Sequence, residues 1–392
     1  MSNPEHIFLF SSLFLFFIVW GKYNYNIKNN TRFWLVALLP ILAFTLITGM
    51  RYGWGNDYMW YKYQFEQALS NDFALQDTQF AWRFLNQLLN KIGFNYVGAF
   101  MFYSLVPVTC AFVLIRSYGK ASKYMYALLI PAILVSITNT IRQGFSTSFL
   151  FLALYFFKDR RWVGVVIAVL LAGLFHLGTV VVALIIIFFK LFVNKYPLNW
   201  KITVPLLLFF TYIFDVSVVS GLSNYLSGFS LGDSNFSNYL ENSDQWFSNE
   251  AINVEAFERG LFSNIIWTLF YISFIYLGYR ALKIKPNFEI IYLYNSVVFG
   301  IVFYQAVRWF EIWRRFAEPL ISFYFIVLGY SLYVLSKKYV RYKDSTKLKR
   351  LEFYAINPTV YKIMVGMILL CLVLYWGRFI FYTPKADFFW NK

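Results

Sequence analysis

Charge is scarce in this chain. Asp, Glu, Lys and Arg make up 14% of its 392 residues, against about a quarter in soluble domains. With 59% apolar residues and a mean hydropathy of +0.54, too little polar surface is left to cover a soluble core. Histidine is nearly absent: His6 and His176 are the two in the sequence, which argues against a histidine-based zinc site. Cys110 and Cys371 each sit inside an apolar run, as small core residues rather than a disulfide or metal ligands. No cofactor and no metal are expected. Neither a Walker A sequence nor a Rossmann glycine pattern occurs, so an ATP-driven pump or a sugar-nucleotide-dependent synthase would have nowhere to bind its nucleotide. Residues 1–6 carry no Lys or Arg and no small-residue cleavage site follows, so no cleavable signal is expected.

What is abundant is apolar length. Runs near bilayer thickness recur from end to end, each closed by charge, Gly, Pro or Asn. They predict an all-α polytopic membrane protein of about 12 helices, at 7–20, 33–50, 96–115, 124–138, 144–157, 162–175, 178–192, 202–219, 261–279, 290–307, 316–335 and 360–376, all within a single transmembrane domain. The net charge of +16 would suggest nucleic acid in a soluble chain. Here the cations cluster in short loops between the runs, the pattern that sets membrane topology. The loops holding Lys22, Lys28 and Arg32, then Arg116, Lys120 and Lys123, Lys158, Arg160 and Arg161, Lys190, Lys195 and Lys201, Arg280, Lys283 and Lys285, and the basic stretch 336–358 carry the larger share of the 35 Lys and Arg. That side is read as cytoplasmic, with both termini outward. The basic stretch would rest against anionic lipid heads.

Two long loops fall on the outward side, 51–95 and 220–260. In the first, Phe80, Phe84, Leu85, Leu88 and Leu89 are read as one helical face, while Gln79, Arg83, Asn86, Gln87 and Asn90 point elsewhere. This predicts an amphipathic helix on the membrane surface. The second loop mixes Ser, Asn and Gly with Tyr225, Phe229, Phe236, Tyr239, Trp246 and Phe247. It suits either a sugar-handling surface or a plain solvated loop.

Candidate chemistry gathers on the same side. Arg51 and Asp57 flank Gly53 and Gly55, next to Tyr58; the alternative is a turn with an interfacial aromatic belt and a structural Arg–Asp pair. Arg142 and Gln143 lie between two apolar runs, where an arginine is costly unless it faces a bundle interior or an aqueous cavity, or snorkels. His176 falls where two runs meet and, taken alone, reads as a structural histidine. Arg259 leads into the ninth run, and Arg308, Glu311, Arg314 and Arg315 precede the eleventh. These arginines oppose the positive-inside bias, so topology does not account for them. The alternative for this group is a salt-bridged helix end, with Glu311 and Arg315 at i,i+4. A guanidinium binds phosphate oxygens in bidentate fashion and stays charged. An outward cationic pocket without nucleotide machinery suits a polyprenyl-pyrophosphate-linked sugar. The arginines would stabilise the leaving group, and Asp57 or His176 would take the proton of an acceptor hydroxyl.

The run Arg51 to Tyr58, the sequence Ile141 to Gly144, the stretch Leu171 to His176, Glu258 to Gly260 and the Arg314-Arg315-Phe316 triplet, in this order over about Arg32 to Tyr330, resemble the EpsG-like membrane proteins and, within them, Wzy-type O-antigen polymerases. The resemblance implies a multi-pass inner-membrane glycosyltransferase of GT-C type. It would move a growing glycan from undecaprenyl pyrophosphate to another lipid-linked repeat unit on the periplasmic side, with a chain-length regulator as a potential partner and no nucleic acid. A lipid-linked oligosaccharide flippase would be expected to carry charge along the middle of its spans. An O-antigen ligase would share the chemistry and differ in acceptor, and a membrane O-acetyltransferase would need its His on the other side.

Overall fold

Asparagine starts several of the helices. In this computed structural model, which describes residues 4–55, 57–70, 79–214, 260–338, 357–381 and 387–388, the side-chain oxygens of Asn29, Asn95, Asn199 and Asn287 accept hydrogen bonds from the first-turn amides of Arg32, Gly98, Lys201 and Glu289 at 2.8–3.1 Å. Such caps satisfy donors that the helix itself leaves free. They open α2 (Asn30–Gly49), α5 (Tyr96–Arg116), α10 (Trp200–Tyr212) and α12 (Phe288–Val307). Basic residues occupy the last turns of α1 (Pro4–Asn24), α5, α7 (Ile141–Lys158), α9 (Gly178–Phe192) and α11 (Leu261–Ile284), where the helix dipole favours them.

The remaining helices are α3 (Tyr58–Glu66), α4 (Phe80–Lys91), α6 (Ser122–Thr138), α8 (Trp162–Phe175), α13 (Glu311–Ser322), α14 (Tyr324–Lys338) and α15 (Pro358–Phe381). Among the described residues the chain is helical apart from β1 (Arg51–Tyr52), paired antiparallel with β2 (Asp387–Phe388). The core runs through α6, α12 and α14, whose Leu129, Ile130, Leu293, Val297, Phe325 and Val327 are fully buried. A second, aromatic cluster sits at one end of the bundle and joins Tyr58, Tyr61 and Phe65 of α3, Trp82 of α4, Phe100 and Tyr103 of α5 and Phe145 of α7.

Among the described residues, eight helical segments are long and apolar enough to cross a bilayer. The expectation of about 12 spans counted four more, at α7–α10. These run 18, 14, 15 and 13 residues; α7 has the length but opens on a polar turn, Arg142 and Gln143, and continues with Ser146, Thr147 and Ser148, while the other three are short. At 1.5 Å per residue a 14-residue helix reaches about 21 Å, short of a hydrocarbon layer about 30 Å thick. The loop 220–259 and most of the basic stretch 336–358 lie outside the described residues.

Helix α4 also departs from expectation. Leu89 does not share a face with Phe80 and Phe84: it is buried with Trp82 and Asn86 against the protein. Phe80, Phe84 and Leu88 instead form a separate exposed stripe, the two rings stacked at 6.2 Å. At 100° per residue, position 89 falls opposite position 80, so the helix has two apolar faces rather than one.

Candidate functional site

The motifs singled out in sequence converge at one end of the bundle because α2, α6 and α8 end there and α7, α9 and α13 begin there. The loop after α2 is fixed by two features. Gly55 has φ +115°, and a Cβ on it would lie 2.1 Å from the Thr138 carbonyl oxygen, so both conformation and space demand glycine. Arg51, 1% exposed, turns its guanidinium to main-chain carbonyls. Nε donates to Trp54 O at 3.2 Å, Nη1 to Thr48 O, and Nη2 to Ile137 O and Thr138 O at 3.4 Å each. It thereby meets the carbonyl end of α6, and the rings of Tyr58 and Phe100 lie 5.6 and 5.4 Å from it. Burial lowers its pKa to about 10, still charged at neutral pH.

Asp57 precedes α3, and Trp60, Tyr61 and Gln64 follow on the same face. Tyr61 is buried, which raises its pKa, and its hydroxyl accepts from the Arg142 main-chain N–H at 3.4 Å. Arg142 and Gln143 belong to the first turn of α7, where the helix dipole favours anions. That turn presses close to α6: a Cβ on Gly144 would stand 2.6 Å from Ser136 O. Gln143 Nε2 donates to the main-chain carbonyl of Arg315 at 2.5 Å, tying α7 to α13.

His176 sits in the turn between α8 and α9, with φ −157° and ψ 105°. Its N–H bonds Ala172 O at 3.0 Å, and its carbonyl accepts from Thr179 N at 2.9 Å. Ser146 of α7 braces this turn, donating to Ala172 O at 2.6 Å and lying 2.8 Å from the Thr179 hydroxyl. Partial burial, and then the nearby Arg142 and Arg315, lower the imidazole pKa to about 4, so it is neutral at pH 7.

Asp57 and the α3 face (Trp60, Tyr61, Gln64), the start of α7 (Thr140, Arg142, Gln143), His176 and Arg315 enclose a cavity of about 290 Å³. Five of the residues proposed from sequence therefore line one space: Asp57, Arg142, Gln143, His176 and Arg315. Others stand apart from the lining. Arg51 and Tyr58 are buried in the protein and are not among the lining residues. Arg308 donates to Gln305 Oε1 at 3.1 Å, Asn264 Oδ1 at 3.4 Å and Thr211 O at 3.4 Å, bracing α10, α11 and α12. Arg314 pairs with Glu318 at 3.2 Å, an i,i+4 contact within this helix. Glu311 opens α13, and Arg259 falls outside the described residues.

Sequence reasoning missed Trp60, Tyr61, Gln64 and Thr140 as lining residues. The first three carried a readable signal, since with Asp57 they stand at i, i+3, i+4 and i+7, the spacing of a single helical face. Among the described residues no group of three His, Cys, Asp or Glu is placed to hold a metal ion.

Fold and site together define a polytopic membrane protein with a polar, arginine-bearing cavity at one end of its helix bundle. Residues 34–383 match the EpsG family, and the chain belongs to this family of Wzy-like polymerases. Comparison with curated proteins and with solved structures gives no match.

Proposed function

We propose that the protein is a GT-C-type polysaccharide polymerase of the bacterial inner membrane. It transfers a growing glycan from undecaprenyl pyrophosphate to a sugar hydroxyl of a second lipid-linked repeat unit, at the periplasmic face. The observation that supports this most is the meeting of Arg142 and Arg315, from separate helices, with Asp57 and His176 around one cavity.

In this reading Arg142 and Arg315 hold the pyrophosphate and stabilise the charge it gains as the glycosidic C–O bond breaks. The acceptor hydroxyl oxygen bonds to the anomeric carbon, and its proton passes to Asp57 or to the neutral imidazole of His176. Lipid pyrophosphate leaves with the bond electrons. Arg51 and Tyr58 serve the site by shaping the loop after α2.

The test supplies purified protein in nanodiscs with synthetic lipid-pyrophosphate repeat units, with EDTA and without nucleotide sugar. A ladder of lengthened products with released lipid pyrophosphate is expected. No ladder, together with movement of substrate between leaflets of a vesicle, would replace the polymerase by a flippase.

A further inference from the structure

Two glutamines line the cavity, and each is 5% exposed. Each has one end of its carboxamide committed, and the chemistry of the partner settles which end. Trp82 Nε1 donates to Gln64 Oε1 at 3.0 Å. An indole N–H cannot accept, so Gln64 must offer oxygen to it, and the amide N–H₂ is the end left over. The partner of Gln143 is a main-chain carbonyl, that of Arg315 at 2.5 Å. A carbonyl cannot donate, so Gln143 gives its nitrogen there and its oxygen is left over. Neither free end is sealed off in the protein or bonded elsewhere among the described residues. The cavity thus holds two fixed, neutral and opposite groups, a donor at Gln64 and an acceptor at Gln143.

Pyrophosphate oxygens at neutral pH accept hydrogen bonds and have none to give, so the free Gln143 oxygen has no use for them. A sugar hydroxyl both donates and accepts, and so can answer each glutamine. Trp60 adds a half-exposed indole, stacked on Tyr63 at 5.7 Å, of the kind that lies flat against sugar C–H faces. We propose that Gln64 and Gln143 are the sugar-reading residues of the cavity, gripping hydroxyls of the sugar joined to the pyrophosphate, with Trp82 of α4 as the positioning residue that fixes the Gln64 amide. This rests on the polymerase reading above and adds to it a division of labour: arginines for the charged group, glutamines for the neutral one.

The experiment measures binding of two probes to protein in nanodiscs, a polyprenyl pyrophosphate carrying one oligosaccharide and the same lipid pyrophosphate without sugar. Gln64→Met keeps the side chain's length and removes its polarity. It is expected to weaken the sugar-bearing probe about fivefold to tenfold, the worth of a neutral hydrogen bond, while the bare lipid changes by less than about twofold. Trp82→Phe, which touches no substrate, should show the same selective loss at smaller size, because the freed amide can turn. Thermal unfolding of each variant separates misfolding from lost recognition. Equal weakening of both probes by Gln64→Met in a folded protein, or no weakening of either, would overturn the inference and leave the polymerase reading standing. A wild-type protein that binds neither probe would overturn both.

Discussion

Arg51 and Arg142 carry the same charge and do opposite things. Arg51 donates to four carbonyl oxygens in a closed environment, so Arg51→Met should strand buried acceptors at about 1–3 kcal/mol each. The expected outcome is a clear fall in the thermal midpoint in detergent and a low folded yield. Arg142 lines the cavity, so Arg142→Gln should fold with a midpoint near wild type and make no polymer. If Arg51→Met unfolds no earlier than Arg142→Gln, the structural assignment of Arg51 is wrong. His176 gives a pH prediction. Its folded pKa of about 4 lies below the ordinary value of 6.5, so the folded protein keeps the ring neutral where an unfolded chain would begin to protonate it. This contribution to stability is therefore whole above about pH 6.5 and is lost as pH falls toward 4. Bound pyrophosphate would offset the two arginines and raise the pKa. With two histidines in the chain, isotope-labelled histidine spectra should show His176 neutral down to about pH 5 without ligand and titrating higher with pyrophosphate bound.

The loop after α2 and helix α4 shape the site. Gly55→Ala places a methyl group 2.1 Å from Thr138 O at a backbone angle that disfavours side chains. It should abolish activity and lower the thermal midpoint, whereas an alanine at Gly93, which has the same sign of φ but open space around it, should cost less. Helix α4 binds inward through Trp82, Asn86 and Leu89 and leaves Phe80 and Phe84 exposed at 70% and 54%. A spin label at Phe84 should collide with oxygen dissolved in lipid, and one at Arg83 with an aqueous nickel chelate. Equal aqueous accessibility at both would remove α4 from the membrane surface. The exposed stripe was legible from its four-residue spacing. The inward stripe was not, because Asn86 reads as polar and yet is buried, accepting from the Tyr103 hydroxyl.

The short strand β2 packs back against β1 and α1. β2 pairs Phe388 with Arg51, and Phe388 is buried, its ring 6.3 Å from His6 and 6.5 Å from Phe10 of α1. Phe388→Ala should cost about 3 kcal/mol as a core truncation, read as a lower thermal midpoint, and should lower activity through the Arg51 loop although it lies outside the cavity. Nothing in the sequence near Phe388 announces this, since a two-residue strand has no periodicity to read. Hydropathy and caps act locally along the chain, so the apolar helices and the placing of Asp57, Arg142, Gln143, His176 and Arg315 near the ends of apolar runs could be read from sequence, whereas the division of 316–335 at Phe323 between α13 and α14 could not. Which arginine faces the cavity and which is spent on carbonyls, and which end of each glutamine is free, were settled by packing between distant segments. Those outcomes depend on partners such as Ile137 for Arg51, Gln64 for Trp82 and Arg315 for Gln143, and a side chain's hydrogen bonds go to whatever the packing of distant segments brings within reach.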